Sequence, residues 1–288
     1  MIYICIPALN EAPTVGVLVW KLRSVMSEFG RDYHVLVLDD GSTDDTQDVL
    51  DPYMRVLPLT VLRNERTTGY AAAVERLLRE AVSRSTHPRR DAVVVLQGDF
   101  TDAPEDVPAL VRRLEGGADV VGASAAPRAD EPRSHRWLRR GLSWLLAGRA
   151  VPREISDPAS GFRAYRVAVL KRMLAERNGG PVLDGTGWAA NVRLLLEVAP
   201  HARRSDSAEI APRSLQRPRP SRMQPWTTAK DLWRVARSAP RRSAAGAPVI
   251  QPEPEAQPEP AATAAPAPRR RGSTRRRSPR KTQQGEST

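Results

Sequence analysis

The chain has 288 residues and a formal net charge of +12, with 45 Lys and Arg against 33 Asp and Glu. Its single cysteine, Cys5, lies in the first apolar run, which excludes a fold held by internal disulfides and is typical of a reducing compartment. No run approaches the roughly 18 uninterrupted apolar residues of a membrane span, and the first residues read as a strand rather than a signal peptide. We therefore expect a cytoplasmic protein.

The first hundred residues alternate between strand and helix patterns. Predicted strands cover residues 1–7, 33–38, 58–63 and 92–96, and predicted helices cover residues 13–30, a short segment through Leu50, and a segment from Tyr70 through Ala81. This alternation predicts an α/β fold with a doubly wound, mostly parallel sheet and helices on both faces. Neither GxGxxG nor GxxxxGK[ST] occurs, so a Rossmann dinucleotide site and a P-loop are not supported.

Further elements follow in the second half of the chain. A fifth strand is predicted at residues 118–123, helices at 134–149, 167–176 and 226–237, a loop entering another helix at 185–197, and a short strand at 204–212. The helix at 134–149 is amphipathic: Trp137, Leu138, Leu142, Leu145 and Leu146 form its apolar side, and arginines lie on the other. We expect the apolar side to pack in the core, while the basic side remains able to contact lipid.

The composition changes at residue 241. Residues 241–288 are rich in Pro, Ala, Glu and Arg, and they cannot bury enough apolar surface to offset the entropy of ordering them. This segment holds ten Lys and Arg and four Glu, or +6, which leaves 35 basic and 29 acidic residues, also +6, for residues 1–240. We predict one folded domain over residues 1–240 and a disordered tail over residues 241–288.

An acidic turn follows the fourth predicted strand. Residues 92–105 read AVVVLQGDFTDAPE, so that Gln97, Asp99 and Asp102 come directly after an apolar run. Ligands of open α/β sheets bind beyond the carboxyl ends of the strands, and oxygen-rich loops there can hold Mg²⁺ or Mn²⁺ against a substrate diphosphate. The alternative is an Asx-type turn with solvated acids.

Four motifs occur in order along the chain. They are IPALNE at residues 6–11, VLDDGSTDDT at 37–46, LQGDFTDAPED at 96–106 and SDPASGFRAYR at 156–166. Together they resemble the family-2 glycosyltransferases with the GT-A fold, and within that family the dolichol- or polyprenyl-phosphate sugar synthases, over roughly residues 1–225. The resemblance implies an inverting transfer of a sugar from a nucleotide-sugar donor to an acceptor, namely a polyprenyl phosphate at the cytoplasmic face of the membrane.

The resemblance also implies a donor pocket. The part of this pocket that holds the donor's nucleobase and ribose would be lined by Pro7, Leu9, Glu11, Asp39 and Asp40. Gly69 would let the backbone approach the donor. Carboxylates suit this task because they accept hydrogen bonds from ribose hydroxyls and base N–H groups. Simple helix capping is the structural alternative for residues 39–44, and both roles can coexist on different carboxylates.

The family's metal motif is Asp-x-Asp, and here Gln97 stands at its first position. Asp99 aligns with the second carboxylate, which by resemblance binds the divalent ion, Mg²⁺ or Mn²⁺, and Asp102 is a further candidate ligand. An amide oxygen contributes no charge, so we expect weaker metal affinity than a two-carboxylate motif would give.

Cations are needed to bring an anionic acceptor to an anionic donor. The candidates are Arg136, Arg163 and Arg166, together with Arg217 and Arg222 in a basic loop that resembles the family's motif near the end of the catalytic domain. Of these, Arg136 and Arg163 are predicted to be catalytic with Asp99, and Arg222 to bind the donor. In so Arg-rich a chain, a solvated surface charge is the alternative for each one.

Other functions remain open at this point. No acid follows Gly187 and Trp188, where some family members have one, which leaves room for a soluble transferase with a small-molecule or glycan acceptor. A non-catalytic nucleotide-sugar binding protein is a third possibility, given the altered metal motif. Nucleic-acid binding would rest on residues 269–281 alone, which lack interleaved aromatic residues. We expect the same basic segment to contact an anionic membrane peripherally.

Overall fold

The computed structural model describes residues 1–125, 133–177, 179–210 and 224–241. Its strands are β1 (Ile2–Ala8), β2 (Tyr33–Asp39), β3 (Leu59–Arg63), β4 (Ala92–Val95), β5 (Val120–Ala125), β6 (Arg163–Arg166) and β7 (Ser205–Ile210). Its α-helices are α1 (Ala12–Phe29), α2 (Thr46–Met54), α3 (Tyr70–Arg84), α4 (Val107–Glu115), α5 (Arg133–Leu145), α6 (Val167–Ala175), α7 (Gly187–Val198) and α8 (Pro225–Ser238). Most of the predicted tail, residues 242–288, lies outside the described ranges.

The seven strands form one sheet in the order β3-β2-β1-β4-β6-β5-β7. The pairs among β3, β2, β1 and β4 are parallel, as the alternating pattern predicts. The chain runs outward from β1 to β3 and then returns to place β4 on the other side of β1. Such a reversal is the point in an open α/β sheet where ligands bind.

Strand β6 was not predicted. It lies antiparallel between β4 and β5, in a motif for which no strand was predicted. Its sequence, RAYR, begins and ends with arginine, which is atypical of a central strand. The structure satisfies these side chains with main-chain carbonyls: Arg163 is buried, and the half-buried Arg166 donates to Ala118 O at 3.1 Å.

The core divides into two layers on the faces of the sheet. Alternate residues of β1 point to opposite sides, so that Ile4 packs with α1 and α4 while Cys5 packs with α3 and α6. Cys5 is fully buried, and burial raises the pKa of its thiol. Cys5 is therefore a small residue of the core.

A third apolar cluster joins α5, α7 and α8. Leu142 of α5 and Leu146, the residue after this helix, are buried there with Leu232 and Val235 of α8. The prediction that the apolar side of α5 packs in the core is therefore right for these leucines and wrong for Trp137, which is 72% exposed. Among the described residues, no helix has both the length and the apolar character needed to cross a membrane.

A buried carboxylate on α3 holds the segment that precedes α7. Glu75 accepts hydrogen bonds from the main-chain N–H groups of Val182 at 2.7 Å and Leu183 at 2.8 Å. Its other oxygen accepts from the guanidinium of Arg79. Because Glu75 is only 7% exposed, its removal would leave two buried donors without an acceptor.

We predict that Glu75→Ala lowers the free energy of unfolding by about 3 kcal/mol. The matched control is Glu80→Ala on the same helix, because Glu80 also forms an i,i+4 pair, with Arg84, but a more exposed one. The control should cost less than about 0.5 kcal/mol. Urea unfolding of both variants measures the difference, and equal losses would contradict the role given to Glu75.

Candidate active site

Three loops meet at the carboxyl end of the sheet. Strand β1 lies between β2 and β4, with Ala8 paired to Asp39 and Cys5 paired to Val95. The residues that follow these strands are therefore neighbours. A Cβ atom added at Gly98 would lie 3.4 Å from Pro7 O and 3.5 Å from Glu11 Cγ, so the acidic turn packs directly on the loop after β1.

Asp39 is fully buried and only partly satisfied. Its Oδ1 accepts a hydrogen bond from the N–H of Ser42 at 2.9 Å, while its Oδ2 has no hydrogen-bond partner. The nearest cation is Arg63, whose Nε lies 3.8 Å from Oδ2. Buried carboxylate oxygens are rarely left without a donor, so this atom is suited to accept an N–H or O–H from a ligand.

Asp40 has the opposite character. Its carboxylate accepts four hydrogen bonds, from the Asn64 amide, from the N–H and hydroxyl of Thr68, and from the N–H of Gly69, at 2.7–2.9 Å. These donors all come from the loop between β3 and α3. That Asp40 lines the donor pocket stays a prediction; in the structure its side chain holds this loop. Gly69 takes φ +96°, a conformation that favours glycine.

The loop after β2 also caps α1. The carboxylate of Asp44 accepts from the N–H of Ala12 at 3.1 Å, and Thr46 Oγ1 accepts from the N–H of Glu11 at 2.9 Å. Burial acts to raise the pKa of Asp44, but hydrogen bonds from Thr46 and Ala12 outweigh it and hold the pKa below its usual value. The capping alternative thus applies to Asp44, while Asp39 retains an open acceptor.

Asp99 and Asp102 lie in one tight turn. The N–H of Gln97 donates to Asp102 at 3.1 Å, and both the N–H and the hydroxyl of Thr101 donate to Asp99. This is the Asx-type turn named as the alternative, but its acids are not solvated, since Asp99 is 4% and Asp102 9% exposed.

This turn offers two carboxylates and one amide to a cation. Within the described residues, no group of three or more His, Cys, Asp or Glu side chains is placed to hold a metal. Mg²⁺ in phosphate-binding sites is commonly held by one or two carboxylates together with substrate phosphates. The residues present therefore fit a divalent ion that shares its coordination with a diphosphate, and they do not form an all-protein cage.

A buried polar network adds residues that the sequence analysis missed. The hydroxyl of Tyr70 donates to Asn191 Oδ1 at 2.9 Å, and Asn191 Nδ2 donates to Ala159 O at 2.9 Å. Burial, and to a lesser degree the charge of Asp102, raise the pKa of Tyr70. A Cβ atom at Gly161 would lie 2.8 Å from the Tyr70 hydroxyl, so only glycine leaves room for this contact. The only sequence signal was the position of Tyr70 directly after Gly69.

Arg163 does not lie in an open pocket. It is fully buried, and its guanidinium donates to Asn191 O at 2.8 Å and to Asp157 O at 3.1 Å. That Arg163 is catalytic stays a prediction; in the structure the side chain holds the loop before β6 and is shielded from solvent. Arg222 lies outside the described residues.

Helix α5 reaches the same loop. Arg139 forms an ion pair with Asp157 and lies over the ring of Trp188, 4.9 Å from its centroid. Arg136, which was predicted to be catalytic, lies one turn earlier on the same helix and is half-buried. Arg139 was not singled out from sequence, because nothing in an Arg-rich helix distinguishes it from its neighbours.

A family model described as Glycosyl transferase family 2 matches residues 3–174. The chain belongs to this family. The match covers more than half of the sequence and includes all three strand-end loops and the motif that contains β6.

Curated relatives agree with this assignment. The chain is 30% identical over 179 residues to an undecaprenyl-phosphate 4-deoxy-4-formamido-L-arabinose transferase of Edwardsiella ictaluri, which covers 59% of this chain and 50% of the relative. It is 29% identical over 180 residues to the transferase of the same name from Pseudomonas aeruginosa, with 62% and 50% covered. The chain thus spans about half the length of these relatives.

Solved structures share the fold. Glucosyl-3-phosphoglycerate synthase of Mycobacterium tuberculosis, in complex with Mn²⁺, UDP-glucose and phosphoglyceric acid, superposes with a TM-score of 0.55 at 23% identity, covering 82% of this chain and 76% of that one. The same synthase with UDP gives a TM-score of 0.56 at 21% identity, covering 82% and 80%. The predicted GT-A fold of a family-2 glycosyltransferase is confirmed.

The two adjacent aspartates of this family-2 domain give a paired prediction. We expect Asp40→Asn to lower the free energy of unfolding by about 2 kcal/mol, because the new amide must face a donor now bound by the carboxylate. Asp39→Asn should lower the free energy of unfolding by less than about 1 kcal/mol, since its amide nitrogen can replace Oδ2, the oxygen that has no hydrogen-bond partner. Thermal or urea unfolding at neutral pH compares them, and a larger loss for Asp39→Asn would reverse the assigned roles.

Proposed function

We propose that this chain is an inverting glycosyltransferase that moves a sugar from a nucleotide-sugar to a polyprenyl phosphate at the cytoplasmic face of a membrane. The observation that carries the proposal is the placement, at strand ends on either side of β1, of the Asp39 oxygen that has no hydrogen-bond partner and of the turn that holds Asp99 and Asp102. One feature suits a nucleoside and the other suits a diphosphate. The names of the curated relatives support a polyprenyl-phosphate acceptor.

The donor would bind across the ends of β1 and β2. Asp39 would accept from a base N–H or a ribose hydroxyl, and Pro7, Leu9 and Glu11 would border the same pocket from the loop after β1. The Asp40-held loop would place the Gly69 backbone against the donor. Gly41 supports this arrangement: its φ is +72°, and the Arg66 backbone would lie 2.8 Å from an added Cβ, so glycine is needed for the two loops to pack this closely.

A divalent ion, Mg²⁺ or Mn²⁺, would be held by Asp99 with Asp102 and Gln97. When bound, the ion would neutralise the diphosphate of the leaving group. The solved M. tuberculosis synthase structures with Mn²⁺ or Mg²⁺ support this choice of metal.

In the proposed reaction, a phosphate oxygen of the acceptor attacks the anomeric carbon. The bond from this carbon to the donor diphosphate breaks, its electron pair leaves with the nucleoside diphosphate, and the anomeric configuration inverts. An ionised phosphate needs no strong general base, but it must approach a second anion. Arg136 on α5 and Arg222 remain the proposed cations for this approach, and Arg139 joins them through its contact with the Asp157 loop.

The metal turn gives the first functional prediction. Asp99→Ala should abolish transfer and remove the effect of Mn²⁺ on nucleotide binding, while the fold survives. Gln97→Asp should tighten Mn²⁺ binding, because it adds a negative charge to the site. Calorimetric titration of Mn²⁺ in the presence of a nucleoside diphosphate tests both variants. Unchanged turnover in Asp99→Ala, or weaker binding in Gln97→Asp, would contradict the metal assignment.

The donor pocket gives the second functional prediction. In a thermal-shift panel of nucleoside diphosphates and their sugars, measured with and without Mn²⁺, the ligands that carry one particular base should raise the unfolding temperature of the protein. Saturation at 100 times the dissociation constant stabilises by about 2.7 kcal/mol, or on the order of 5–10 °C for a domain of this size. Asp39→Asn should lose most of this shift.

The control for the donor panel is Asp45→Asn, which changes an exposed acid on the same loop. It should retain the shift of the unsubstituted protein. A Mn²⁺-dependent shift without any transfer to polyprenyl phosphate would favour a different acceptor or a non-catalytic binding protein. No shift with any nucleotide would overturn the proposal.

A further inference from the structure

Exposed tryptophans are concentrated on two helices. Trp137 and Trp144 of α5 are 72% and 80% exposed, and Trp226 and Trp233 of α8 are 89% and 52% exposed. These are four of the six tryptophans in the chain. Tryptophan is usually largely buried in a globular domain, so a group of exposed ones indicates an interaction surface.

The tryptophans form one row on each helix. Each pair is separated by seven residues, or two helical turns, and therefore lies on one side of its helix. On α5 this side is opposite Leu142, which is buried in the apolar cluster shared with α7 and α8. On α8 it faces away from Leu232 and Val235, which belong to the same apolar cluster.

The two helices are also fastened together at their ends. The N–H of Ala150, just after α5, donates to Pro240 O at 3.0 Å, and Arg149 donates to Ala239 O at 2.9 Å. Each tryptophan row thus lies on the side of its helix that is not covered by the shared apolar cluster. We call these two rows, Trp137 and Trp144 on α5 and Trp226 and Trp233 on α8, the tryptophan face.

The charges around the tryptophan face are almost all positive. Helix α5 contains four arginines and no acid, and α8 contains Lys230, Arg234 and Arg237 with a single acid. That acid, Asp231, is buried and accepts hydrogen bonds from Thr186 and Arg234. The guanidinium of Arg237 lies 4.6 Å from the centroid of the Trp233 ring.

We propose that the tryptophan face binds the surface of an anionic lipid bilayer. Indole rings prefer the headgroup region, where the ring is shielded and its N–H stays hydrated, and surrounding Lys and Arg are attracted to anionic lipids. A face with exposed tryptophans, several cations and no exposed acid on either helix is complementary to such a surface.

Membrane binding by the tryptophan face would serve the proposed function, because a polyprenyl-phosphate acceptor resides in a bilayer, and in this respect the proposal rests on the proposed function. Helix α5 connects the surface to the candidate site: Arg139 pairs with Asp157, whose loop continues to Gly161 beside Tyr70. Membrane binding through this face would hold the site next to the lipid headgroups. The contact is separate from the one proposed for the basic tail, which contains no tryptophan.

The test uses the full chain and vesicles of phosphatidylcholine with about one-third phosphatidylglycerol, compared with phosphatidylcholine alone. Part of the lipid carries brominated acyl chains, which quench tryptophans that enter the interface. Full-length protein should bind the anionic vesicles and lose fluorescence in their presence. The tail alone cannot give this signal.

The test variant is Trp144→Ser combined with Trp226→Ser, the two most exposed rings. We expect its affinity for anionic vesicles to fall at least about tenfold, because two interfacial anchors are lost. Trp20→Ser is the matched control, since Trp20 on α1 is also exposed, at 50%, but lies outside the tryptophan face. Unfolding temperatures of both variants confirm that the fold is intact.

Equal vesicle binding by the double variant and the control would overturn the proposal, as would binding without quenching. Self-association, or binding to a protein with no quenching by any vesicle, would assign the face to a protein partner and also overturn it. Nucleotide-dependent thermal shifts are measured on the same samples. Their persistence without vesicle binding rejects only the tryptophan face, and vesicle binding without them rejects only the proposed function.

Discussion

Two neighbouring buried carboxylates at the end of β2 set the constraint on which the site depends. A carboxylate can be buried only where donors replace the water that it loses. Asp40 receives four donors from the loop between β3 and α3, so folding must bring that loop over the sheet edge. Asp39 receives one N–H and a guanidinium 3.8 Å away, and its second oxygen stays without a hydrogen-bond partner. The fold thus supplies hydrogen-bond donors to both oxygens of Asp40 and leaves one oxygen of Asp39 able to accept a hydrogen bond from a ligand.

A second network extends this order to the other half of the sheet. Tyr70 begins α3 directly after Gly69, and its hydroxyl bonds to Asn191 on α7. The main-chain carbonyl of Asn191 accepts from Arg163 on β6, and its side chain donates to Ala159. Buried networks whose members are bonded rigidify the elements that they join. The network therefore fixes α7 and the loop before β6 relative to the loop that Asp40 holds.

The three apolar clusters stabilise different parts of the fold. Two of them cover the faces of the sheet and make a rigid scaffold for the strand-end loops. The third joins α5, α7 and α8 beside that scaffold and buries only one side of α5 and of α8. Because the opposite sides are not needed for packing, they can carry tryptophan and arginine. The same helical layer thus reaches the site through Arg139 and presents the tryptophan face outward.

The sequence by itself determined the parallel half of the fold and the positions of its loops. Strand β4 is covered on both faces, so it reads as an uninterrupted apolar run, and polar turn residues mark where each strand stops. The capping alternative could also be stated in advance, because Asp and Thr after a strand commonly bond the first N–H groups of a helix. The tail and Arg222 were predicted from composition and motif, and they stay predictions.

Only the tertiary structure decided which of several similar residues is buried, which holds a loop and which is exposed. Asp39 and Asp40 are identical in type and adjacent, and they differ only in the donors that another loop brings to one of them. Strand β6 escaped prediction because its arginines are buried by carbonyls from distant segments, and a local pattern cannot show a long-range acceptor. Trp137 was misplaced for a related reason: a helix rich in apolar residues can bury only the side that a partner covers, and the position of that partner is set by the whole fold.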